Sequence, residues 1–354
     1  MKDRLLVISL SDHMGGAEQC LRLIAAEAGC HLMFLKRSGS NSIQDIDVKK
    51  VSYMTTLPLI CAFALLPFCL YKYRKQFTII SSHSYLNAVL GVLRRIGYLK
   101  GTLIARESTS IFTRYKGIKR ASYKLAYWLG YPALGRIICQ SELMSAQLLK
   151  NNSYLSSANV KVIPNPIDLV KAKNNADLER PHITDEYICA AGRLISIKGF
   201  GMLIEAFSLL VIERPYMKLV ILGSGPSYDH LILLAEQLGI AQSVLLLGHK
   251  ENPYPYFKYA RLCVVPSIME GFPNVLLQMM AVNPNVVSTL CAGGIAEIPL
   301  IVKVKTNDVQ DLYKGLLTAL GNITTGAATV LENYLAPRNP KSYLKEVLAG
   351  LDLE

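Results

Sequence analysis

Short runs of β-branched and aliphatic residues alternate with longer stretches in which apolar positions recur every three or four residues. The runs "RLLVISL" (4–10), "HLMFLK" (31–36), "FTIISS" (77–82), "GTLIAR" (101–106), "RIICQ" (136–140) and "VKVIP" (160–164) predict strands. Helical spacing fills the intervals, as at 17–28 and 116–130. Unbroken apolar runs, rather than alternating ones, point to strands buried on both faces of a parallel sheet. Residues 165–185 are polar, contain proline and lack periodicity, so they read as an interdomain linker.

The pattern then resumes with strands at 187–192, 218–223, 243–248, 261–267 and 285–289, and helices near 199–213, 227–238, 273–282, 307–320 and 340–351. The expected architecture is α/β, two Rossmann-like doubly wound domains facing each other across a cleft. The boundaries are a first domain over 1–168, a linker over 169–185, a second domain over 186–335 and a closing helix over 336–354, expected to pack back on the first domain. In open parallel sheets ligands sit outside the carboxyl ends of the strands, so chemistry is sought in the loops that leave them.

Charge is divided unequally. Residues 1–180 hold 25 Lys/Arg against 11 Asp/Glu, whereas residues 181–354 hold 13 against 15. A basic half suits an anionic membrane or a phosphorylated substrate; no aromatic-plus-basic motif points to nucleic acid. The apolar stretch Leu57 to Tyr71 is too short to span a bilayer comfortably and runs straight into "KYRK" (72–75). It reads either as a buried helix of the first domain or as a helix lying in the headgroup region beside its own cations. Eight scattered cysteines without a C-x-x-C pair suggest buried thiols in a reducing compartment rather than disulfides or zinc ligands. The start of the chain does not resemble a signal peptide, and "DID" (45–47) reads as a surface loop.

Four strand-end segments carry candidate chemistry. "SDHMGGAE" (11–18) places Gly15 and Gly16 where a ligand can approach the backbone at a helix start. "AGRLISIKGF" (191–200) sets Arg193 and Lys198 around one loop, and two cations aimed at one point suit a diphosphate. Cations at a helix start oppose the helix dipole, which disfavours a purely structural role. In "MEGFPNVLLQ" (269–278), Pro273 suits the first helical position, and Glu270 stands beside the amides of Phe272, Asn274 and Val275. The fourth is "SSHSYLNA" (81–88), with His83 between a strand and a helix.

Taken together, these segments resemble retaining glycosyltransferases of the GT-B fold, family 4, of the bacterial polysaccharide type. The resemblance covers nearly the whole chain, through "GGAE", "HS", "IPNPID" (163–168), "AGRLISIKGF", "LVILGSGP" (219–226), "LLLGH" (245–249), "EGFPNVLLQ" and "CAGGIAEI" (291–298). It implies that Gly15, Gly16, Arg193 and Lys198 hold the donor diphosphate in place of a metal, with no cofactor. It implies that Glu270, Gly271, Phe272, Pro273 and Asn274 hold the donor sugar, and that Gly248, His249, Lys250 and Gln278 border the ribose and base. His83 and Glu270 would act at the reaction centre. The implied partners are a nucleotide-diphosphate sugar, preferably UDP-linked, a lipid-linked saccharide and the cytoplasmic face of the plasma membrane, with the protein peripheral on it.

Two departures stand out. Gln278 replaces the second acid of the family's E-x7-E pattern, and Asn283 stands where a glycine commonly precedes the proline. Gln278 keeps a non-catalytic GT-B partner open as an alternative, and a GT-B nucleotide-sugar epimerase is another. A dinucleotide oxidoreductase is disfavoured, because Tyr228 occupies the third glycine of G-x-G-x-x-G in "ILGSGPSYD" (221–229).

Overall fold

The computed structural model describes residues 4–13, 15–37, 48, 50–321 and 326–351, which form two units. The first comprises residues up to Pro166 together with the segment from Pro340; the second spans Ile167–Asn339. The "DID" segment lies outside the described residues.

The first unit runs β1 (Leu5–Ser11), α1 (Gly16–Ala28), β2 (His31–Lys36), β3 (Lys50–Thr55), α2 (Leu59–Leu70), β4 (Thr78–Ser81), α3 (Ser84–Arg95), β5 (Leu103–Arg106), α4 (Ile111–Arg114), α5 (Gly117–Gly130), β6 (Arg136–Cys139), α6 (Glu142–Asn151) and β7 (Val160–Val162). The second runs α7 (Leu169–Ala176), β8 (Tyr187–Ala191), α8 (Phe200–Glu213), β9 (Lys218–Leu222), α9 (Tyr228–Gln237), β10 (Val244–Leu246), α10 (Tyr254–Tyr259), β11 (Leu262–Val265), α11 (Asn274–Met280), β12 (Val286–Thr289), β13 (Val302–Val304), α12 (Val309–Gly321) and α13 (Ala327–Leu335). The last helix, α14 (Pro340–Leu348), belongs to the first unit, where Tyr343 and Val347 are buried with Cys20, Leu21 and Ile24 of α1.

Both sheets are parallel throughout. Their orders are β3-β2-β1-β4-β5-β6-β7 and β10-β9-β8-β11-β12-β13. Successive residues of β1 feed opposite layers: Leu5 and Val7 join the core with α1 and α14, whereas Leu6 and Ile8 join the core with α2, α3 and α5. Each such side chain, fully buried, contributes about 1.5–3 kcal/mol relative to exposure. The strand order reverses at β1/β4 in one sheet and at β8/β11 in the other, which opens a crevice at each switch point. The loops leaving those four strands are "SDHMGGAE", "SSHS", "GRLISIKG" and "PSIMEGFP".

Several expectations require correction. The stretch 169–185 is not a plain connector, because Asp168 caps α7 through the Lys171 amide (2.9 Å) and Ala172 and Ala176 are buried. The capped helix fully buries only two small alanines, with Leu169 partly buried against the same core, so its apolar signal is faint. Pro273 is the N-cap of α11 rather than its first helical residue, with an extended backbone (φ −77°, ψ 104°). Strands β3 and β13 were not anticipated. The Leu57–Tyr71 stretch is helical from Leu59 to Leu70, but only Ala62, Leu66 and Leu70 are buried while Ile60 and Phe68 face solvent. No helix among the described residues is long and apolar enough to cross a membrane. All eight cysteines are free thiols, six of them buried.

Candidate active site

In the second unit the site is assembled by close backbone contact between three strand-end loops. The loop after β8 exchanges hydrogen bonds with the loop after β9: the Leu194 amide donates to the Ser224 carbonyl (2.9 Å), and the Ser227 amide to the Leu194 carbonyl (3.0 Å). A side chain at Gly225 would place its Cβ 2.4 Å from the Leu194 oxygen, so only glycine permits this approach. On the other side Gly199 adopts a left-handed backbone (φ 69°), and a Cβ there would lie 2.0 Å from the Pro266 oxygen. This "KG" turn holds the β8 loop against the β11 loop, where the Ile268 amide donates to the Ile197 carbonyl (2.8 Å).

The contact brings together side chains 72 residues apart in sequence: Lys198 Nζ donates to Glu270 Oε1 at 2.5 Å. The Ser267 hydroxyl donates to the same oxygen (2.9 Å), and the Glu270 amide donates to the Cys291 carbonyl (2.9 Å). Beneath them the Thr289 hydroxyl donates to the Ser267 carbonyl (2.5 Å). Burial pushes the thiol of Cys291, the residue whose carbonyl takes the Glu270 amide, up to about 12, so it stays uncharged. Both charged side chains are mostly covered, at 22% and 16% exposure for Lys198 and Glu270. Arg193 is exposed at the start of the same loop. The result is a held carboxylate beside a cation, with a second cation on the loop.

The remaining second-unit candidates divide by role. Phe272 is buried in the core with Leu276 and Leu277, leaving only its backbone for a ligand. Gly271, Pro273 and Asn274 lead into α11. On that helix the Gln278 carboxamide is hydrogen-bonded to Tyr254 of α10, a phenol that burial pushes up to about 12. Sequence reasoning gave Gln278 a ligand and missed this partner. Gly248 turns with φ 71° and its carbonyl accepts from the Gly223 amide (2.7 Å), which sets the β10 loop beside the β9 loop. His249 is exposed, and Lys250 Nζ stands 5.9 Å from the Tyr256 ring centroid. Asn283, the other departure, is buried and donates to the carbonyls of Phe257 (2.7 Å) and Ala260 (2.8 Å). It braces the turn between α11 and β12 and is structural.

The first unit holds its own cluster at the β1/β4 switch point. Gly15 caps α1, and Glu18 lies in the helix's first turn, buried, where the helix dipole favours a negative charge. His83, the N-cap of α3, places Nε2 at 3.0 Å from Glu18 Oε1 and 3.4 Å from Ser9 Oγ. The carboxylate is placed to accept a hydrogen bond from Nε2. Glu18 was missed as a site residue, although the acid one turn into the helix after Gly-Gly was its signal.

A second missed group is fully buried nearby in the chain. Arg106 donates to Ser82 Oγ (3.1 Å) and Asn165 Oδ1 (2.5 Å). The hydroxyls of Tyr127 and Tyr131 donate to the two oxygens of Glu107, each at 2.5 Å. This explains Asn165 in "IPNPID": it closes a buried polar network. Among the described residues no group of three His, Cys, Asp or Glu side chains is placed to hold a metal ion.

The chain is similar to known glycosyltransferases in sequence and to solved structures in fold. Residues 173–322 match the family described as glycosyl transferases group 1. The chain is 28% identical over 327 residues to a Campylobacter jejuni N-acetylgalactosamine-N,N'-diacetylbacillosaminyl-diphospho-undecaprenol 4-alpha-N-acetylgalactosaminyltransferase, covering 86% of this chain and 87% of that one. It is 29% identical over 177 residues to the lipopolysaccharide core biosynthesis glycosyltransferase LpsE of Rhizobium meliloti, covering 50% and 47%. In fold it is similar to Anabaena HepE solved with UDP and glucose, with a TM-score of 0.82 at 17% identity over 99% of this chain and 100% of that one. The fold is GT-B, as expected from the sequence.

Proposed function

We propose that this glycosyltransferase, whose residues 173–322 match the glycosyl transferases group 1 family, transfers a sugar from a nucleotide-diphosphate sugar to a lipid-linked saccharide in bacterial surface-polysaccharide assembly. The observation that carries this reading is the Lys198–Glu270 pair in the β8/β11 crevice, with Arg193 on the same loop. A diphosphate leaving group needs positive charge as its bond to the sugar breaks, and Lys198 and Arg193 supply it without a metal ion. Glu270 accepts hydrogen bonds from the donor sugar's hydroxyls. The Gly271–Asn274 turn holds sugar and phosphate through its backbone, and the Gly248–Lys250 loop borders the base.

The reaction is retaining. The bond from the anomeric carbon to the diphosphate oxygen breaks as an acceptor hydroxyl attacks from the same face. The acceptor's proton passes to the departing phosphate oxygen. Within the first unit, the family resemblance is what gives His83, held by Glu18, and Gly15 and Gly16 their proposed parts in handling the substrates. Each preorganised charge-stabilising group of this kind is worth about 10²–10³ in turnover. Uridine is the preferred nucleotide, the one carried by the HepE structure of the same fold.

The lipid-linked acceptor follows the Campylobacter relative, whose acceptor is a diphospho-undecaprenol. The basic first half of the chain and the half-exposed α2 beside Lys72, Arg74 and Lys75 support work at the cytoplasmic membrane surface. A turnover screen against UDP-, GDP- and ADP-sugars with a lipid-diphosphate saccharide tests the proposal. Nucleotide release that requires both substrates supports it; no release with any donor would refute it.

A further inference from the structure

Helix α5 is amphipathic in an inverted sense. Its buried side carries Tyr123, Tyr127 and Gly130, whereas Ile118 (90%), Leu125 (57%) and Trp128 (54%) are exposed. With Ala121 and Leu129 these residues form a stripe about 100° wide, the width of a helix's core-facing side, here turned to solvent. Lys119 lies on one flank of the stripe and Lys124 on the other. Burial within the first unit does not explain such a pattern.

The stripe continues onto its neighbours. Helices α2, α3 and α5 all pack into one core on the same side of the seven-stranded sheet. Arg95 at the end of α3 donates to the Leu129 carbonyl of α5 (3.2 Å), and Tyr98 donates to the Pro67 carbonyl of α2 (2.6 Å). Around these links Ile96 (70%), Ile60 (79%) and Phe68 (78%) are exposed as well. The three helices therefore present one braced apolar face rather than isolated surface residues.

Its charge identifies the occupant. Between Lys50 and Ser141 the sequence has fourteen Lys or Arg, of which Arg106 and Arg136 are buried, and one acid, Glu107, which is buried against Tyr127 and Tyr131. A second copy docked by two-fold symmetry would set this cationic face against itself. An anionic bilayer complements it: the apolar side chains enter the headgroup–acyl boundary while the flanking cations meet the lipid charges. We infer that the face formed by α2, the end of α3 and α5 is the surface on which this protein lies against anionic lipid, with α5 inserting Ile118, Leu125 and Trp128. This rests on the lipid-linked acceptor proposed above and adds where, and through which side chains, the membrane is met.

Trp128 is the only tryptophan in the chain, so the full-length protein carries its own probe. Its fluorescence should shift to the blue with phosphatidylcholine vesicles containing phosphatidylglycerol, and lipids brominated on the acyl chain should quench it. Neither effect should occur with phosphatidylcholine alone, and added salt should weaken both. Ile118→Ser with Leu125→Ser should lower vesicle affinity at least about ten-fold, and Lys119→Ser with Lys124→Ser about five-fold per charge. All these side chains are exposed, so thermal unfolding should stay unchanged. An unshifted Trp128 on saturating anionic vesicles would overturn the assignment. So would a self-association of the protein that the Ile118/Leu125 variant abolishes. Transfer to a short-chain, water-soluble acceptor separates this surface from the reaction: the variant should keep that rate. Loss of transfer in the unmodified protein would count against the proposed function and leave the vesicle result standing.

Discussion

Lys198 Nζ and Glu270 Oε1 stand 2.5 Å apart, joined across two loops that meet only because Gly199 has no side chain. The pair places a cation ready for phosphate beside an acceptor ready for sugar hydroxyls. It also stops either charge from lying uncompensated in a largely covered site. A double-mutant cycle on Lys198→Ala and Glu270→Gln, read by thermal unfolding without ligand, should show a coupling of about 0.5–3 kcal/mol. Strict additivity would mean that the contact does not persist in solution.

Removing both cations tests the diphosphate assignment. Arg193→Ala with Lys198→Ala should abolish nucleotide-sugar binding measured by calorimetry, while the nucleoside alone, which lacks phosphate, changes little. Unchanged affinity for the nucleotide sugar would remove these residues from the site.

Gly199→Ala should be costly out of proportion to its size. The substitution combines a left-handed backbone with a Cβ driven against the Pro266 carbonyl. A loss above about 1 kcal/mol in denaturant unfolding is expected, together with lower turnover, because the β8 and β11 loops would separate. A neutral substitution would show that the loops need not touch.

For Gln278 the expected gain is small. Gln278→Glu should tighten nucleotide binding by up to about ten-fold, since a hydrogen bond to a charged acceptor exceeds a neutral one by roughly 1 kcal/mol. The bond to Tyr254 competes for the same group. Tyr254→Phe should therefore enlarge the gain when combined with Gln278→Glu. Weaker nucleotide binding in Gln278→Glu would place Gln278 away from the ribose.

The fold was legible where the signal is local. Buried strand segments such as "LLVIS" and "LVIL" announce themselves as apolar runs. Strand β3, "KVSYMT", and strand β13, "VKV", lie at sheet edges, where partial exposure admits polar residues and erases the run. Helix α7 hides for a related reason, fully burying only alanines. In the site, the sequence pointed to Lys198, Glu270 and His83 individually. Their pairing could not be read, because Lys198–Glu270 and Glu18–His83 are made by strand order, and strand order is set by packing across the whole sheet. Glu107 was hidden similarly: a lone acid among cations resembles a surface residue until two tyrosines are folded over it.

Stability should depend on pH through His31. Its ring is bonded to the Tyr73 hydroxyl and the Ser52 hydroxyl, each at 2.8 Å. Burial first, then Lys50 and Lys72, pull it down to about 4. An unfolded His titrates near about 6.5, so in that interval the unfolded chain binds more protons. Stability is then full above the unfolded value and falls as pH drops toward 4. His31→Gln should flatten the pH dependence of thermal unfolding between these values; an unchanged slope would assign it to other groups.

The most direct test of the central claim is transfer itself, followed as nucleotide released and lipid-linked saccharide extended, in Glu270→Gln beside the unmodified protein. The account predicts a fall of about 10²–10³ in turnover, beyond the modest loss of thermal stability expected from breaking the ion pair with Lys198, with vesicle binding unchanged. Turnover near that of the unmodified protein would contradict it, because the carboxylate paired with Lys198 would then have no part in the chemistry.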